Sequence, residues 1–344
     1  MDVEAAQALW HPKTVYLNTA TCGLPPDPAW DALQAALDEW RHGKVDWIEW
    51  DQSTSRARRA FARLVGVDES WVCISSTVAS LTGLIAPTLP RGSNVIGVEN
   101  EFTSALWPWM VHEDRGVTVR TVPLSGLLDA IDSSTTLVAV SAVQSATGEV
   151  ADFDALVTRA AEVGARTFID ATQACGWLPL DASRFDYVAC AAYKWLMSPR
   201  GTAFMSVRPE HLESIRPVAA NWYAGEDVHD SYYGPPLRLA GSARRLDVSP
   251  AWFNWVGTAA TLEVILDIGV ENIYRHNLGL AGRFQRELLG TDADSAIVSV
   301  AAADAAEKLQ RAGVMAAVRA GSMRASFHIY NTDADVDAAL AALA

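Results

Sequence analysis

The amino-acid sequence predicts an α/β protein: a mainly parallel sheet sandwiched by helices, with a smaller α+β domain at the C-terminus. Three features carry that prediction. Between residues 71 and 207, short apolar runs of strand length alternate with segments of helical period, the pattern of parallel strands joined through crossover helices. The runs, among them NVIGV and DYVACAAY, are almost unbroken in apolar residues, as strands covered on both faces must be. Beyond residue 246 the pattern changes to two long helical segments, then weakly periodic strands and an acid-started final helix. The 344 residues, half of them hydrophobic, suffice for two domains. They divide into an N-terminal arm (1–25), a large domain (26–245) and a small C-terminal domain (246–344).

In chain order, the arm TVYLNTATCGLPP is a short apolar run entering a turn-rich segment. Residues 29–42 and 52–65 read as amphipathic helices: Leu33, Leu37 and Trp40 share one face of the first, Phe61, Leu64 and Val65 one side of the second. A strand over Trp71–Ile74 runs into Ser75, Ser76 and Thr77, and these hydroxyl residues open a helix reaching Leu89. NVIGV and TLVAVSAV follow as strands, the second leading through QSATGEV to a helix over Asp154–Gly164. In the stretch Thr167–Phe204, one apolar run ends at Asp170 and the next delivers Lys194, before Pro199 and Gly201 turn the chain into a third. Residues Pro217–Pro250, rich in Gly, Pro, Tyr and Trp, are irregular, and helices over 252–268, 270–289 and the Ala-rich tail after Asp333 complete the chain.

The Thr167–Phe204 stretch carries the chemistry. Lysines are rarely buried, yet Lys194 stands between apolar runs, flanked by Tyr193 and Trp195 rather than by other charges. A strand-end aspartate such as Asp170, taken alone, is as readily a helix cap. Together, an acid at one strand end and a lysine just past the next are what an enzyme needs to hold pyridoxal 5'-phosphate (PLP). The amine joins the aldehyde, and the carboxylate keeps the ring nitrogen protonated so that the ring accepts electrons. Ser76, Thr77 and the Val78 amide suit the phosphate, because free N–H groups and the positive end of a helix point at an anion there. Without the lysine downstream, Ser76 would read as a plain N-cap.

These motifs, in this order over residues 14–343, resemble class V of the aminotransferase superfamily. These are the fold-type I PLP enzymes that include cysteine desulfurases, kynureninase, isopenicillin N epimerase and several C–S lyases. In ENEFTSALWPW the resemblance implies that Phe102 lies flat on the cofactor ring, where desulfurases carry a histidine; a phenyl ring stacks but exchanges no protons. Aligning Gly148 with the family glycine puts Ser145 beside the PLP phenolic oxygen, with Gln144 a second candidate. Gln173 resembles the residue that helps position that oxygen or the lysine imine. The arm passes the site in this family, bringing Asn18, with Thr19, Ala20 and Cys22, toward cofactor and substrate. Family members usually carry hydroxyl or histidine residues just before the lysine; here Ala191, Ala192 and Tyr193 stand there, so a phosphate contact is missing or comes from elsewhere. Ser76, Phe102, Ser145, Asp170 and Lys194 all fall at the carboxyl ends of strands, where sites form in such sheets.

The segment RLAGSARRLDVSP resembles the family turn that reaches the phosphate of the neighbouring subunit's cofactor. Ser242 stands for the usual threonine, and a homodimer with shared active sites is implied; Arg244 and Arg245, which follow, read equally as surface ion pairs. MRASFHIYNTDADVDAALAAL resembles the family's closing motif and implies that Arg324 grips the α-carboxylate of an amino acid, a task suited to a planar bidentate donor.

A net charge of −14 sets the chain against nucleic acid and anionic membranes as partners. Cys22, Cys73, Cys175 and Cys190 show no CxxC pair and read as reduced thiols, and no metal site is expected. The N-terminus has acids where a signal peptide carries lysines, and no apolar run approaches the ~18 residues of a membrane span, so a cytoplasmic location is the expectation. The thirteen tryptophans are unusual; Trp107, Trp109, Trp195, Trp222, Trp252 and Trp255 fall near the motifs, as core or as walls of a pocket for a bulky substrate.

PLP supports transamination, elimination, racemisation and decarboxylation, selected by which bond stands perpendicular to the ring. Desulfurases need a nucleophilic cysteine on a loop shortly before the carboxylate arginine, and residues 290–323 contain none. The leading expectation is a C–S lyase, possessing Lys194, Asp170 and Phe102 as its catalytic set, that cleaves a cysteine S-conjugate by β-elimination in secondary metabolism. Tyr193 or a water protonates the leaving sulfur. An aminotransferase, and an epimerase or decarboxylating deaminase of the same family, are the alternatives. A non-catalytic relative is the remaining class, and the presence of both Lys194 and Asp170 weighs against it.

Overall fold

The computed structural model describes residues 1–302 and 304–344. The arm carries a short strand, β1 (Val15–Tyr16). Seven strands then form the central sheet: β2 (Val72–Ser75), β3 (Asn94–Val98), β4 (Thr118–Val122), β5 (Thr135–Ser141), β6 (Arg166–Asp170), β7 (Tyr187–Ala191) and β8 (Ala203–Val207). Their spatial order is β2-β8-β7-β6-β5-β3-β4. Strands β3 to β7 run parallel, and β8 lies antiparallel between β7 and β2. The order reverses at β3, which has β4 on one side and β5 on the other, so a crevice opens at the carboxyl ends of these strands.

Successive residues of each strand face opposite sides and feed two separate cores. Ile74, Val138, Val140, Ile169, Val188 and Phe204 pack on one face with Phe61, Leu156 and Trp255. Cys73, Leu137, Phe168, Tyr187 and Met205 pack on the other with Leu81, Ile85 and Trp109. Burial on both faces is why the runs carry almost no polar residues. The sequence pattern does not predict β4, TVRTV. It is an edge strand with Thr118, Arg120 and Thr121 exposed, so no apolar run marks it.

The two expected amphipathic helices are found over Asp27–Arg41 and Trp47–Leu64. The second begins earlier than its apolar period because Asp46 caps it, accepting the Glu49 N–H at 3.2 Å. The helix Trp252–Ile268 lies against both of them, and its Trp255 meets Phe204 edge-on at 5.2 Å. Although it follows residue 246, this helix is part of the layer covering the central sheet; it is apolar nearly all round and correspondingly buried.

After the helix Val270–Leu289, the chain forms β9 (Ile297–Val300), β10 (Val314–Met315), β11 (Ala317–Arg319) and β12 (Ser322–Ser326). Strands β11, β12 and β9 make a small antiparallel sheet, whereas β10 pairs in parallel with β1. Leu17 N–H donates to the Met315 carbonyl at 2.8 Å and Ser326 N–H to the Leu17 carbonyl at 2.9 Å, stitching the arm to this C-terminal region. The last helix, Asp333–Leu343, starts on a capping box of Thr332 and Asp335. No single helix among the described residues is long and apolar enough to cross a membrane.

Candidate active site

The turns at the carboxyl ends of β2, β3, β5, β6 and β7 line a cavity that opens to solvent. Its walls include Ser76, Thr77, Val78, Phe102, Ser145, Asp170, Gln173, Tyr193 and Lys194, which segments far apart in sequence bring together. Lys194 leaves the fully buried β7 in a tight turn, where Met197 N–H donates to its carbonyl at 3.0 Å. Its side chain is only 6 % exposed, and the amine stands 5.3 Å from the centroid of the Phe102 ring and 5.8 Å from that of Tyr193. Burial lowers the amine's pKa from 10.5 to about 8, against the pull of Asp170, which raises it. Asp170 closes β6, and its Oδ1 accepts the Thr172 N–H at 2.9 Å. Burial pushes this carboxyl above its ordinary range, and the Thr172 hydrogen bonds pull it back. Two oppositely charged groups, both desolvated and both displaced in pKa, mark a chemical site.

Beside them, Ser145 sits at the centre of a hydrogen-bond network. Its hydroxyl oxygen accepts from Gln173 Nε2 at 2.9 Å and from Arg324 Nη1 at 3.1 Å. With both lone pairs engaged, the hydroxyl proton is left to donate to a ligand in the cavity. Gln173 also donates to the Ala20 carbonyl at 3.0 Å and accepts from Trp195 Nε1 at 2.8 Å, so its amide is saturated and its orientation fixed. Gly148 seats this turn on the small sheet: its φ is +87°, and a Cβ there would lie 2.4 Å from the Ile297 carbonyl oxygen.

At the other end of the cavity, Thr77, not Ser76, caps the helix Val78–Ile85, accepting the Ser80 N–H at 3.1 Å. The Ser76 hydroxyl makes no hydrogen bond with the described residues and is exposed at the wall. The first-turn amides of the helix have no partner within it.

Several predicted residues stand elsewhere. Arg324 lies behind the wall, donating to the Ser145 carbonyl and hydroxyl and, through Nη2, to Thr21 Oγ1 at 2.8 Å. It is 1 % exposed, its Nε has no partner, and burial, then Arg319, lowers its pKa to about 10. Asn18 does not line the cavity, because it bridges to Ser326 in the small sheet; the arm residue that meets the arginine is Thr21. Gln144 turns away, donating to Glu101 at 3.1 Å, which leaves Ser145 as the residue at the wall. Ser242 lies on the irregular segment outside its own chain's cavity. Of the arginines after it, Arg244 bonds the Tyr223 carbonyl at 2.9 Å and Arg245 pairs with Glu213 at 2.6 Å.

Besides Thr21, two arginines escaped the sequence reading. Arg319, at the end of β11, also donates to Thr21 Oγ1, at 3.1 Å, so two guanidinium groups converge on one hydroxyl. Arg200 lines the cavity with its guanidinium 4.9 Å from the Tyr193 ring centroid. Spacing from Lys194 was the available signal for the second; only the hairpin pairing reveals the first.

The family profile described as Aminotransferase class-V matches residues 47–339, most of the chain. The chain belongs to the class V aminotransferase family. It is similar to the uncharacterized aminotransferase YcbU of Bacillus subtilis (strain 168), 28% identical over 260 residues, covering 73% of this chain and 69% of that protein. It is also similar to isopenicillin N epimerase of Streptomyces clavuligerus, 26% identical over 287 residues, covering 76% of this chain and 71% of that one. A solved structure titled as a complex of the cystine C–S lyase C-DES with cysteine persulfide shares the fold, with a TM-score of 0.85 at 21% identity over 96% of this chain and 97% of that one.

This class V member is a PLP-dependent enzyme of the fold-type I architecture. Its residues fit that cofactor. Lys194 offers a desolvated amine beside an aromatic ring, Asp170 a buried carboxylate, Ser145 a proton lacking an acceptor, and Ser76 an unbonded hydroxyl at a helix N-terminus. No group of three or more His, Cys, Asp or Glu side chains is placed to hold a metal ion among the described residues.

Proposed function

We propose that this class V enzyme is a lyase that cleaves the C–S bond of a cysteine S-conjugate by β-elimination. The observation that carries the reading is the hairpin between Arg319 and Ser322. Ala320 and Gly321 alone join β11 to β12, both at positive φ, 46° and 80°. No loop therefore extends from this hairpin to carry a nucleophilic cysteine of the desulfurase kind. The likeness to a structure titled a cystine C–S lyase supports the same reading.

PLP, when bound, supplies an electron sink for the pair at the substrate's α-carbon. Lys194 would take the α-proton; a pKa near 8 leaves part of the amine as free base around neutrality. Asp170 would hold the proton on the ring nitrogen, and Phe102 would cover the ring. Arg324 and Arg319, converging at Thr21, would hold the α-carboxylate in a fork of N–H donors. Tyr193, whose phenol burial keeps protonated, would donate to sulfur as the C–S bond breaks. With one water consumed, the products are a thiol, pyruvate and ammonium. In the same reading the enzyme is a homodimer whose Ser242 reaches the neighbouring subunit's cofactor phosphate.

The test is incubation with S-substituted cysteines, following thiol and pyruvate. Equal amounts of both, with loss of yellow colour and activity in Lys194→Ala, are the expected result. Keto acid formed only when an amino acceptor is added would mean an aminotransferase, and inverted configuration without loss of nitrogen an epimerase; either overturns the lyase.

A further inference from the structure

We propose that Arg200 binds the phosphate group of the cofactor, replacing the polar side chains absent at Ala191, Ala192 and Tyr193. This rests on PLP occupying the cavity described above. The first observation is register. Strands β2 and β8 are antiparallel, and their last pair is Ser75 with Ala203. The segments leaving that pair, Ser76 to Val78 in one direction and Thr202 back to Arg200 in the other, therefore start side by side at the N-terminus of the helix Val78–Ile85. Ser76, Thr77, Val78, Arg200 and Gly201 accordingly share the wall of a single cavity.

The second observation is charge. A phosphate monoester carries about −1.5 to −2 at neutral pH, and the chain as a whole is at −14. Among the described residues, Lys194 and Arg200 are the only basic side chains in the wall, and Lys194 is committed to the aldehyde end. Helix amides and the Ser76 hydroxyl supply only partial charges.

The third is the state of the side chain. Asn254 Nδ2 donates to the Arg200 carbonyl at 2.8 Å, and Gly201, at φ +108°, has no room for a Cβ, which would lie 2.7 Å from that nitrogen. The backbone is thus pinned. The guanidinium, by contrast, makes no hydrogen bond or ion pair with the described residues and rests on the Tyr193 ring. Stacking engages the face of a guanidinium and leaves its edge N–H groups free, in a fork that matches phosphate oxygens. Tyr193 therefore orients the cation through the face of its ring, which leaves its hydroxyl uncommitted.

The experiment compares PLP with pyridoxal, which lacks the phosphate, on the full-length enzyme freed of cofactor and refilled, with binding read from the cofactor colour and tryptophan fluorescence. Arg200→Gln should raise the Kd for PLP about ten- to a hundred-fold, the scale of one charge-assisted phosphate contact, and leave that for pyridoxal within about twofold; Arg200→Lys should recover most of the loss. Equal weakening toward both ligands would show damage to the turn, and unchanged PLP affinity in Arg200→Gln would show that the phosphate is held without it; either overturns the proposal while the cofactor assignment stands. A wild-type enzyme that develops no Lys194-dependent colour overturns both.

Discussion

Replacing Lys194 with methionine, an unbranched apolar side chain of similar length, should end catalysis yet stabilise the cofactor-free enzyme. Folding takes the amine from 10.5 to about 8, with the attraction of Asp170 already included. At ~1.36 kcal/mol per pKa unit, holding the charged amine in the native site costs about 3 kcal/mol at pH 7. The sign follows from linkage: between about 8 and 10.5 the unfolded chain holds this proton and the native site does not, so stability rises with pH across that window. The cost is fully present below about 8 and fades as pH climbs toward 10.5. An unfolding entropy of ~2.1 cal/mol/K per residue makes about 0.7 kcal/mol/K for this chain, so removing the cost should raise Tm by roughly 4 °C. Thermal melts of cofactor-free wild type and Lys194→Met at pH 7 and pH 10 check it: the gain should shrink to about 1 °C at the higher pH. A variant that melts below wild type, or a difference that does not change with pH, would refute the desolvated amine and with it the use of Lys194 as a base poised near neutrality.

Arg324→Gln should raise KM for amino acid substrates about a hundred-fold, the loss of a charge-assisted carboxylate pair, and leave the Kd for PLP within about threefold; steady-state kinetics and cofactor titration separate the two, and a parallel loss of PLP affinity would assign Arg324 to supporting Ser145 instead. Gly23→Ala should destabilise the enzyme, because the new Cβ would lie 2.1 Å from the Lys194 carbonyl oxygen and 2.8 Å from Met197 Cα, both backbone atoms that cannot yield cheaply. Overpacking of that kind costs about 1–3 kcal/mol, a fall in Tm of roughly 1–4 °C, measurable by calorimetry, and an unchanged melt would mean that the arm is not seated on the lysine turn.

How much of this could be seen in the sequence depended on what each residue answers to. Strands buried on both faces announce themselves by composition, so β3, β5, β6 and β7 were legible, and with them Asp170 and Lys194 at strand ends. The helices 252–268 and 270–289 were equally plain. Strand β4 was not, because an edge strand half open to water carries no apolar run. The start of the helix Trp47–Leu64 was hidden because capping by Asp46, not apolar period, decides it. In the site, Ser145 was placed by its glycine turn, but Thr21 and Arg319 were invisible: their meeting depends on β10 pairing with β1 across some three hundred residues, a contact that leaves no local trace. The position of Asn18 outside the cavity lining was hidden for the same reason, since its bridge to Ser326 is a contact across the length of the chain.

The contrast between the two buried arginines supports the carboxylate-binding role proposed for Arg324. Arg58, 6 % exposed, is neutralised by Asp247 at 2.5 Å and also bonds the Val72 carbonyl, and its pKa rises accordingly. Arg324, 1 % exposed, has only hydroxyl and carbonyl oxygens around it, a second guanidinium nearby and an Nε with no partner. Removing one partner of a buried ion pair costs about 3–5 kcal/mol, so a fold selected for stability alone would have given Arg324 an acid, as it gave Arg58. The chain has 41 aspartates and glutamates to choose from. In that proposal the missing carboxylate comes from the substrate: an anion arriving between Arg324 and Arg319 would relieve their mutual repulsion and offer a charged acceptor where the guanidinium groups now have only neutral hydroxyl and carbonyl oxygens. On the proposed reading, stability given up in the empty enzyme would be returned as affinity for an α-carboxylate.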